Sequence, residues 1–275
     1  RLARDLNAGR SIHGTAAWFL AAVPSIAIVL ALHYVFMALH PILATLWDIA
    51  VLYACISFRQ ITQEYTAIAD ALRASDLDQA RALLARWRAE PTAQWTETEI
   101  ARAAIETFFV RAHRELLAEV AWFAVLPGPA GAVLYRLASL LAERWGRRSG
   151  DEFRDFGRFS AQAFHVLDWV PLRMTAIGFA IAGDFEDAIQ CWRSQFRSWL
   201  DPEAGVMLAS GAGALGVRLG GPLTRDDGVV YRAELGTGDD PDANYMQSAI
   251  GLVWRTLVIY LIVLFLVTLV HWVAV

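Results

Sequence analysis

The chain has 275 residues, of which 56% are hydrophobic and 19% charged, with a formal net charge of −4. Ordinary soluble domains carry more charge, and an acidic balance offers no footing for nucleic acid. Every basic residue outside histidine is arginine, which excludes a Schiff-base or phosphate-loop lysine; any phosphate or carboxylate must be held by Arg, a helix terminus or a metal.

The chain opens on a basic stretch, Arg1 to Gly14, with Arg1, Arg4 and Arg10 against Asp5. Thr15 to Leu39 follows without an Asp, Glu, Lys or Arg. That length matches one bilayer crossing, and it is too long for a cleaved signal peptide. A His40-Pro41 turn leads into a second apolar run, Ile42 to Phe58, with Asp48 inside it. The pair reads as a membrane hairpin.

Arg59 to Glu119 reads as water-soluble helices. Ile61, Tyr65, Ile68, Ala69 and Leu72 repeat at helical spacing. Ser75 or Asp76 is placed to cap a helix over Leu77–Arg88, and Thr96 with Glu99 fits a capping box opening a third, Glu97 to about Glu119. Val120 to Leu141 is apolar again but broken at Pro127–Gly131, as either a kinked crossing or a re-entrant hairpin; the Arg-rich loop Glu143–Arg158 (Arg144, Arg147, Arg148, Arg154, Arg158) favours the hairpin, because basic excess stays cytoplasmic. Val166–Ala182 is too polar for a lipid-facing span and reads as a buried or interfacial helix. Asp184–Leu200 is amphipathic, with Pro202 ending it. A Gly-rich stretch, Gly205–Gly221, and a polar loop with Gly236, Gly238 and Pro241 precede the last span, Ile250–Val270. Cys55 and Cys191 form no metal or CxxC spacing and read as free, buried thiols.

Three groups of residues are candidates for chemistry. In the first, His165 and Asp168 stand i,i+3, so on a helix their side chains meet; with Asp155 they suit proton transfer or half of a divalent-metal site. The bland reading is an Arg–Asp network, with Arg173, that fixes an interfacial helix. In the second, Gly211 to Pro222, small residues permit tight helix packing, while Gly220-Gly221-Pro222 turns the chain and Arg218 is placed to bind an anion. No GKS/T end or dinucleotide fingerprint is present. In the third, Arg102, Glu106, Arg111, His113, Arg114 and Glu115 read mainly as a solvated face with Arg102–Glu106 paired i,i+4, Glu106 being the member to test. A lone His33 reads as a buried contact or a relay; a transport pathway would string it together with Asp48 and Arg255.

The stretches ARAAIETF (101–108), GPAGAVLYR (128–136), FRDFGRFSA (153–161), LDWVPLRMTA (167–176) and GAGALGVRLGG (211–221) resemble the membrane-protein group of cobalamin biosynthesis that includes adenosylcobinamide-phosphate synthase, together with the related AmpE proteins linked to β-lactamase regulation. HVLDWVP (165–171) resembles the AmpE branch, GAGALGVRLGG the synthase branch. The synthases join a corrinoid carboxylate to an aminopropanol or its phosphate after activation of the acid, and Glu106, Arg154, Asp155, Arg173 and Arg218 match their pattern. The Asn and Asp positions that follow Glu106 in that pattern read Phe108-Phe109-Val110-Arg111 here; those after Arg136 read Ser139-Leu140-Leu141-Ala142, a paired Asp reads Phe164-His165, and an Asn reads Asp168.

These observations give an all-α integral membrane protein of the bacterial inner membrane, with transmembrane helices, cytoplasmic helices and re-entrant segments. Four consecutive parts are expected: a hairpin (1–58), a cytoplasmic region (59–119), a family core (120–247) and a last span (248–275). The expected role is an AmpE-like regulatory or sensing protein that binds an amphiphilic or anionic ligand, because synthase polar positions are replaced. The alternative is a synthase-like amide ligase, with Mg²⁺ as its candidate cofactor. Glu106, Asp155, His165 and Asp168 are the catalytic candidates; Arg154, Arg173, Arg218, Gly220 and Gly221 are the ligand contacts. Expected partners are membrane lipids, a corrinoid or envelope-derived ligand, and a second copy or another membrane protein.

Overall fold

A computed structural model of the chain describes residues 11–146, 151–225 and 228–274, without the side chains at 11–13, 146, 151–156, 271, 272 and 274. The basic residues Arg1, Arg4 and Arg10, Arg147 and Arg148, and the side chains of Arg154 and Asp155, lie outside what is described. The helices run in the order α1 (Ser11–Leu39), α2 (Pro41–Cys55), α3 (Phe58–Arg73), α4 (Leu77–Arg88), α5 (Glu97–Ala112), a π turn (His113–Leu117), α6 (Ala118–Val125), α7 (Ala130–Gly146), α8 (Asp151–Ala182), α9 (Phe185–Gln195) and α10 (Pro202–Leu215). Short strands β1 (Leu219–Gly220), β2 (Leu223–Arg225), β3 (Gly228–Val230) and β4 (Glu234–Leu235) precede α11 (Ala243–Ala274). Among the described residues, three segments are long and apolar enough to cross a membrane: Gly14–Leu39, Pro41–Arg73 and Ala243–Val270.

By its contacts the chain forms two compact units, Arg1–Ser57 with Arg114–Pro171, and Phe58–His113 with Leu172–Val275. In the first, the α1–α2 turn is capped by His40, whose ring accepts from the Ile42 N–H, with Pro41 in the first helical turn where its missing N–H costs nothing. His33 of α1 meets Asp48 of α2 at 2.8 Å. The break at Pro127–Gly131 doubles the chain back: Gly131 faces Trp122 so closely that a Cβ would lie 1.9 Å from its carbonyl oxygen, and Arg136 stands opposite Glu115 and Glu119. α6 and α7 therefore form a helical hairpin.

Residues 166–182 do not form a separate buried helix. They are the end of the 32-residue α8, which runs through Pro171 and leaves Val166, Trp169, Val170, Met174, Ile177 and Ile181 exposed along it. Proline removes one N–H from the helix ladder and so orphans the carbonyl four residues earlier. Here that carbonyl, Leu167 O, accepts from Trp122 Nε1 at 3.1 Å, so the helix continues.

In the second unit the predicted face of α3 is the buried one. Ile61, Tyr65, Ile68, Leu72, Leu84 and Trp87 pack with Ile100, Ile105, Phe108 and Phe109 of α5. Tyr65 stacks on Phe108 at 4.2 Å and its hydroxyl donates to Met246 O of α11. Asp76 caps α4, and the Thr96–Glu99 capping box opens α5. Pro202 begins α10, with Asp201 as its cap, instead of ending the previous helix, which stops at Gln195. α10 is buried along its length because Gly205, Gly211 and Gly213 let it lie against Phe196, Phe109 and the Asp187 backbone. The loop expected after it holds two antiparallel ribbons, β1 with β4 and β2 with β3, a small strand content that the helical pattern did not announce.

Candidate functional site

The ribbons and α5 of the second unit build a polar centre around Glu106. Its carboxylate is 5% exposed. Oε1 accepts from the Gly220 N–H at 2.8 Å, and Arg232 grips both oxygens, at 2.6 Å to Oε2 and 3.1 Å to Oε1. This two-pronged form is the strongest geometry available to an Arg–carboxylate pair. Arg232 also donates to the carbonyls of Gly220 and Gly221 and lies over the Trp199 ring. Arg88 Nη1 stands 4.0 Å from Glu106 Oε2 and donates to Thr107. The expectation of a solvated face with an Arg102–Glu106 pair is thus corrected. Helical spacing brings the two side chains close, but β1 and the Arg232 segment cover that face and take Glu106, while Arg102 pairs with Asp240.

Gly220 and Gly221 make the close approach possible. Both have positive φ, +75° and +70°, which L side chains adopt only with strain. A Cβ on Gly220 would sit 2.0 Å from Ala233 O, and one on Gly221 would sit 2.8 Å from Arg102 Nη1. Arg218 lies at the exposed rim, 3.4 Å from Asp240. Beside them Glu99 accepts from the N–H and hydroxyl groups of both Thr96 and Thr224; burial pushes its carboxyl up, but these four bonds outweigh burial and hold it below the usual range. Among the described residues no three His, Cys, Asp or Glu side chains gather as a metal site, and the donors around Glu106 are committed to arginine and backbone. The arrangement fits an anion-directed centre of fixed guanidinium groups; it does not build a cage for Mg²⁺.

Of the residues singled out from sequence, Glu106, Arg218, Gly220 and Gly221 come together here. Arg173 is half-buried in the same unit. Asp168 and His165 belong to the other unit. Asp168 is buried and accepts from Tyr135 at 2.6 Å, and His165 is exposed on α8. Arg154 and Asp155 lie on the first turns of α8. Sequence reading missed Arg232, Arg88 and Asp240. Arg232 stands in a segment without periodicity or motif, and only the ribbon register brings it to Glu106.

The first unit holds a second buried carboxylate. Glu119 is fully buried and neither oxygen has a hydrogen-bond partner; Arg136 is 3.6 Å away and also reaches Glu115 and Ser57. Burial pushes Glu119 up to about 8, with Arg136 lowering it and Glu115 raising it. A folded-state value above the ordinary 4.5 means that its contribution to stability is complete below that value and disappears as pH rises through 8. Melting temperature is expected to fall between pH 4.5 and about pH 8, reflecting on the order of a few kcal/mol, and Glu119→Gln is expected to flatten that slope. Parallel profiles for the two proteins would show that Glu119 is ionised throughout.

A model of the family described as CobD/Cbib protein matches residues 1–253. The "Cobalamin biosynthesis protein CobD" of Stutzerimonas stutzeri (strain A1501) is 37% identical over 268 residues, covering 96% of this chain and 86% of that protein. The protein of the same description from Chromobacterium violaceum is 34% identical over 219 residues, 80% of this chain and 70% of its own. That of Rhodobacter capsulatus is 31% identical over 206 residues, 74% and 64%. No solved structure matches the chain. These matches overturn the expected AmpE-like regulatory role. The HVLDWVP stretch that suggested it has a local structural account: Asp168 takes the Tyr135 hydroxyl, and Pro171 frees the carbonyl that Trp122 uses.

Proposed function

Because the chain belongs to the CobD/Cbib family, we propose that it acts in cobalamin biosynthesis as an amide-forming ligase, joining a corrinoid carboxylate to an amino alcohol or its phosphate. It is a multi-pass protein of the bacterial inner membrane, so the reaction takes place at the membrane surface. The observation that carries the reading is the Glu106–Arg232–Gly220 network, with Arg88, Arg102 and Arg218 around one glycine turn.

Condensing an acid with an amine expels water and is unfavourable in water, so the acid must first be activated. A nucleoside triphosphate transfers a phosphoryl group to a carboxylate oxygen, releasing the diphosphate; the amine then attacks the carbonyl carbon, placing negative charge on oxygen, and phosphate leaves as the C–N bond forms and the amine gives up its proton to solvent. Guanidinium groups fixed before the reaction stabilise such charge without reorganising. Glu106 is not exposed enough to meet a macrocycle; it acts by orienting Arg232 and the Gly220 backbone. Arg218, at the exposed rim beside Asp240, is placed to reach an anionic substrate group. The replaced amides and carboxylates of the synthase pattern do not remove this centre, since Arg232, outside the quoted motifs, supplies the partner to Glu106. Mg²⁺, where a nucleotide phosphate brings it, would supply charge neutralisation of that phosphate.

The test is growth of a host lacking its own corrinoid amide ligase on an exogenous corrinoid acid. The chain is expected to restore cobalamin-dependent growth. Failure to do so at normal membrane expression would refute the reading.

A further inference from the structure

At the rim of the Glu106 centre two arginines converge on one carboxylate oxygen. Arg102 Nη2 donates to Asp240 Oδ1, and Arg218 Nη2 stands 3.4 Å from the same atom. Arg102 is a fixed part of the wall: its side chain is 12% exposed, and Nη1 meets Gly220 O at 3.5 Å and packs against Gly221. Arg218 and Asp240 are each 45% exposed. The backbone beside Asp240 is held on both sides. The Asp239 N–H donates to Gly216 O at 3.2 Å, Asp239 O accepts from the Arg218 N–H at 2.9 Å, and Pro241 confines the residue before it to extended conformations. The Asp240 carboxylate can therefore leave the arginines by rotating its own side chain into solvent, with the chain in place.

We propose that Asp240 is a built-in occupant of an oxyanion seat, formed by Arg102 and Arg218, and that an anionic group of a substrate enters by displacing it. Two guanidinium groups around one carboxylate leave a surplus positive charge, and their planar forks accept other oxyanions in the same way. The exposed part of the cluster is weak, since ion pairs open to water contribute little and are screened by salt. The occupant still lowers affinity. Apparent binding falls by the fraction of time a site is competent, so a seat vacant about one tenth of the time holds an entering anion about ten-fold more weakly than an open one. Asp240 thus turns away dilute free anions and yields to one tethered to a larger bound substrate, whose effective concentration is high. Use of the seat by a substrate rests on the amide-ligase reading; displacement of Asp240 by an anion does not.

Titration calorimetry of the full chain in nanodiscs of zwitterionic lipid, with sodium sulfate as the probe at fixed ionic strength, tests displacement without turnover. Asp240→Asn is expected to bind sulfate at least about ten-fold more tightly than the parent. Asp239→Asn removes the same charge one residue away, from a carboxylate that accepts from the Tyr245 hydroxyl, and is expected to change affinity by less than about two-fold because solvent and salt screen it. Arg218→Gln added to Asp240→Asn is expected to remove the gain. An Asp240 that only braces the fold predicts the opposite sign: a lower melting temperature and weaker sulfate binding. Unchanged or weaker binding in Asp240→Asn, or an equal gain in Asp239→Asn, overturns the proposal. The turnover assay then identifies the substrate. Asp240→Asn is expected to lower KM about ten-fold for one of the corrinoid acid, the nucleoside triphosphate and the amine component, and to leave the other two within about two-fold. Tighter sulfate binding with amide product but no fall in any KM overturns entry of a substrate through this seat; tighter sulfate binding with no amide product upholds the displacement and rejects the ligase reading.

Discussion

Glu106→Gln is expected to lower the rate of corrinoid amide formation by about two to three powers of ten. The substitution keeps the shape of the side chain but removes the charge that holds Arg232 in a two-pronged grip. Breaking one partner of a buried pair costs about 3–5 kcal/mol, because the other charge stays buried without compensation. At roughly 1.4 kcal/mol per power of ten, displacement of the guanidinium from its working position accounts for the predicted loss. Arg232→Gln is expected to give a similar loss, and the double variant no more than either alone, since both remove one interaction. The check is amide product by mass spectrometry, with a melting curve for each variant. Additive losses, or a rate within about three-fold of the parent, would show that the pair does not act as a unit.

The second large effect is expected at Gly220. Gly220→Ala forces a methyl group to 2.0 Å from Ala233 O and 2.8 Å from the Trp199 ring at a positive φ. Both obstacles belong to the ribbon and the turn beneath it, so the β1–β4 pairing must open and the Gly220 N–H to Glu106 bond is lost with it. Overpacking with strain of this kind costs about 3 kcal/mol or more, or about 6–12 °C in melting temperature for a chain of this size. Gly216 is the matched control: its φ is +66°, but a Cβ there meets nothing within 4 Å. Gly216→Ala is therefore expected to cost only about 1–2 kcal/mol of backbone strain. Equal drops in the two variants would mean that conformation alone, and not close approach, explains the glycine at 220.

Much of this was legible in the residues. The uncharged run before Leu39 and the apolar stretch after Ile250 carry the membrane class by length alone. The Thr96–Glu99 box and the Asp76 cap are local hydrogen-bond patterns, and they sit where their sequence places them. The turn at Pro127–Gly131 was visible, and its hairpin form follows from Gly131, the one residue small enough to lie against Trp122. The polar centre was harder to read. Glu106 stood out by resemblance, but the helix spacing offered Arg102 as its partner. The true partner, Arg232, lies 126 positions away and is brought in by two-residue strands too short to leave a periodic trace. The branch assignment failed for a related reason. HVLDWVP resembles the AmpE branch, whereas Asp168 and Pro171 there serve local contacts with Tyr135 and Trp122.

Amide formation by this chain at the Arg–Glu106 centre is the central proposal. Its most direct test is incubation of the nanodisc-embedded protein with a corrinoid acid, an amino alcohol phosphate, a nucleoside triphosphate and Mg²⁺, followed by mass analysis of the corrinoid. The predicted result is a corrinoid heavier by the amine component less one water, formed by the parent protein and lost in Arg232→Gln. Unchanged corrinoid acid in the presence of folded parent protein and intact substrates would contradict it.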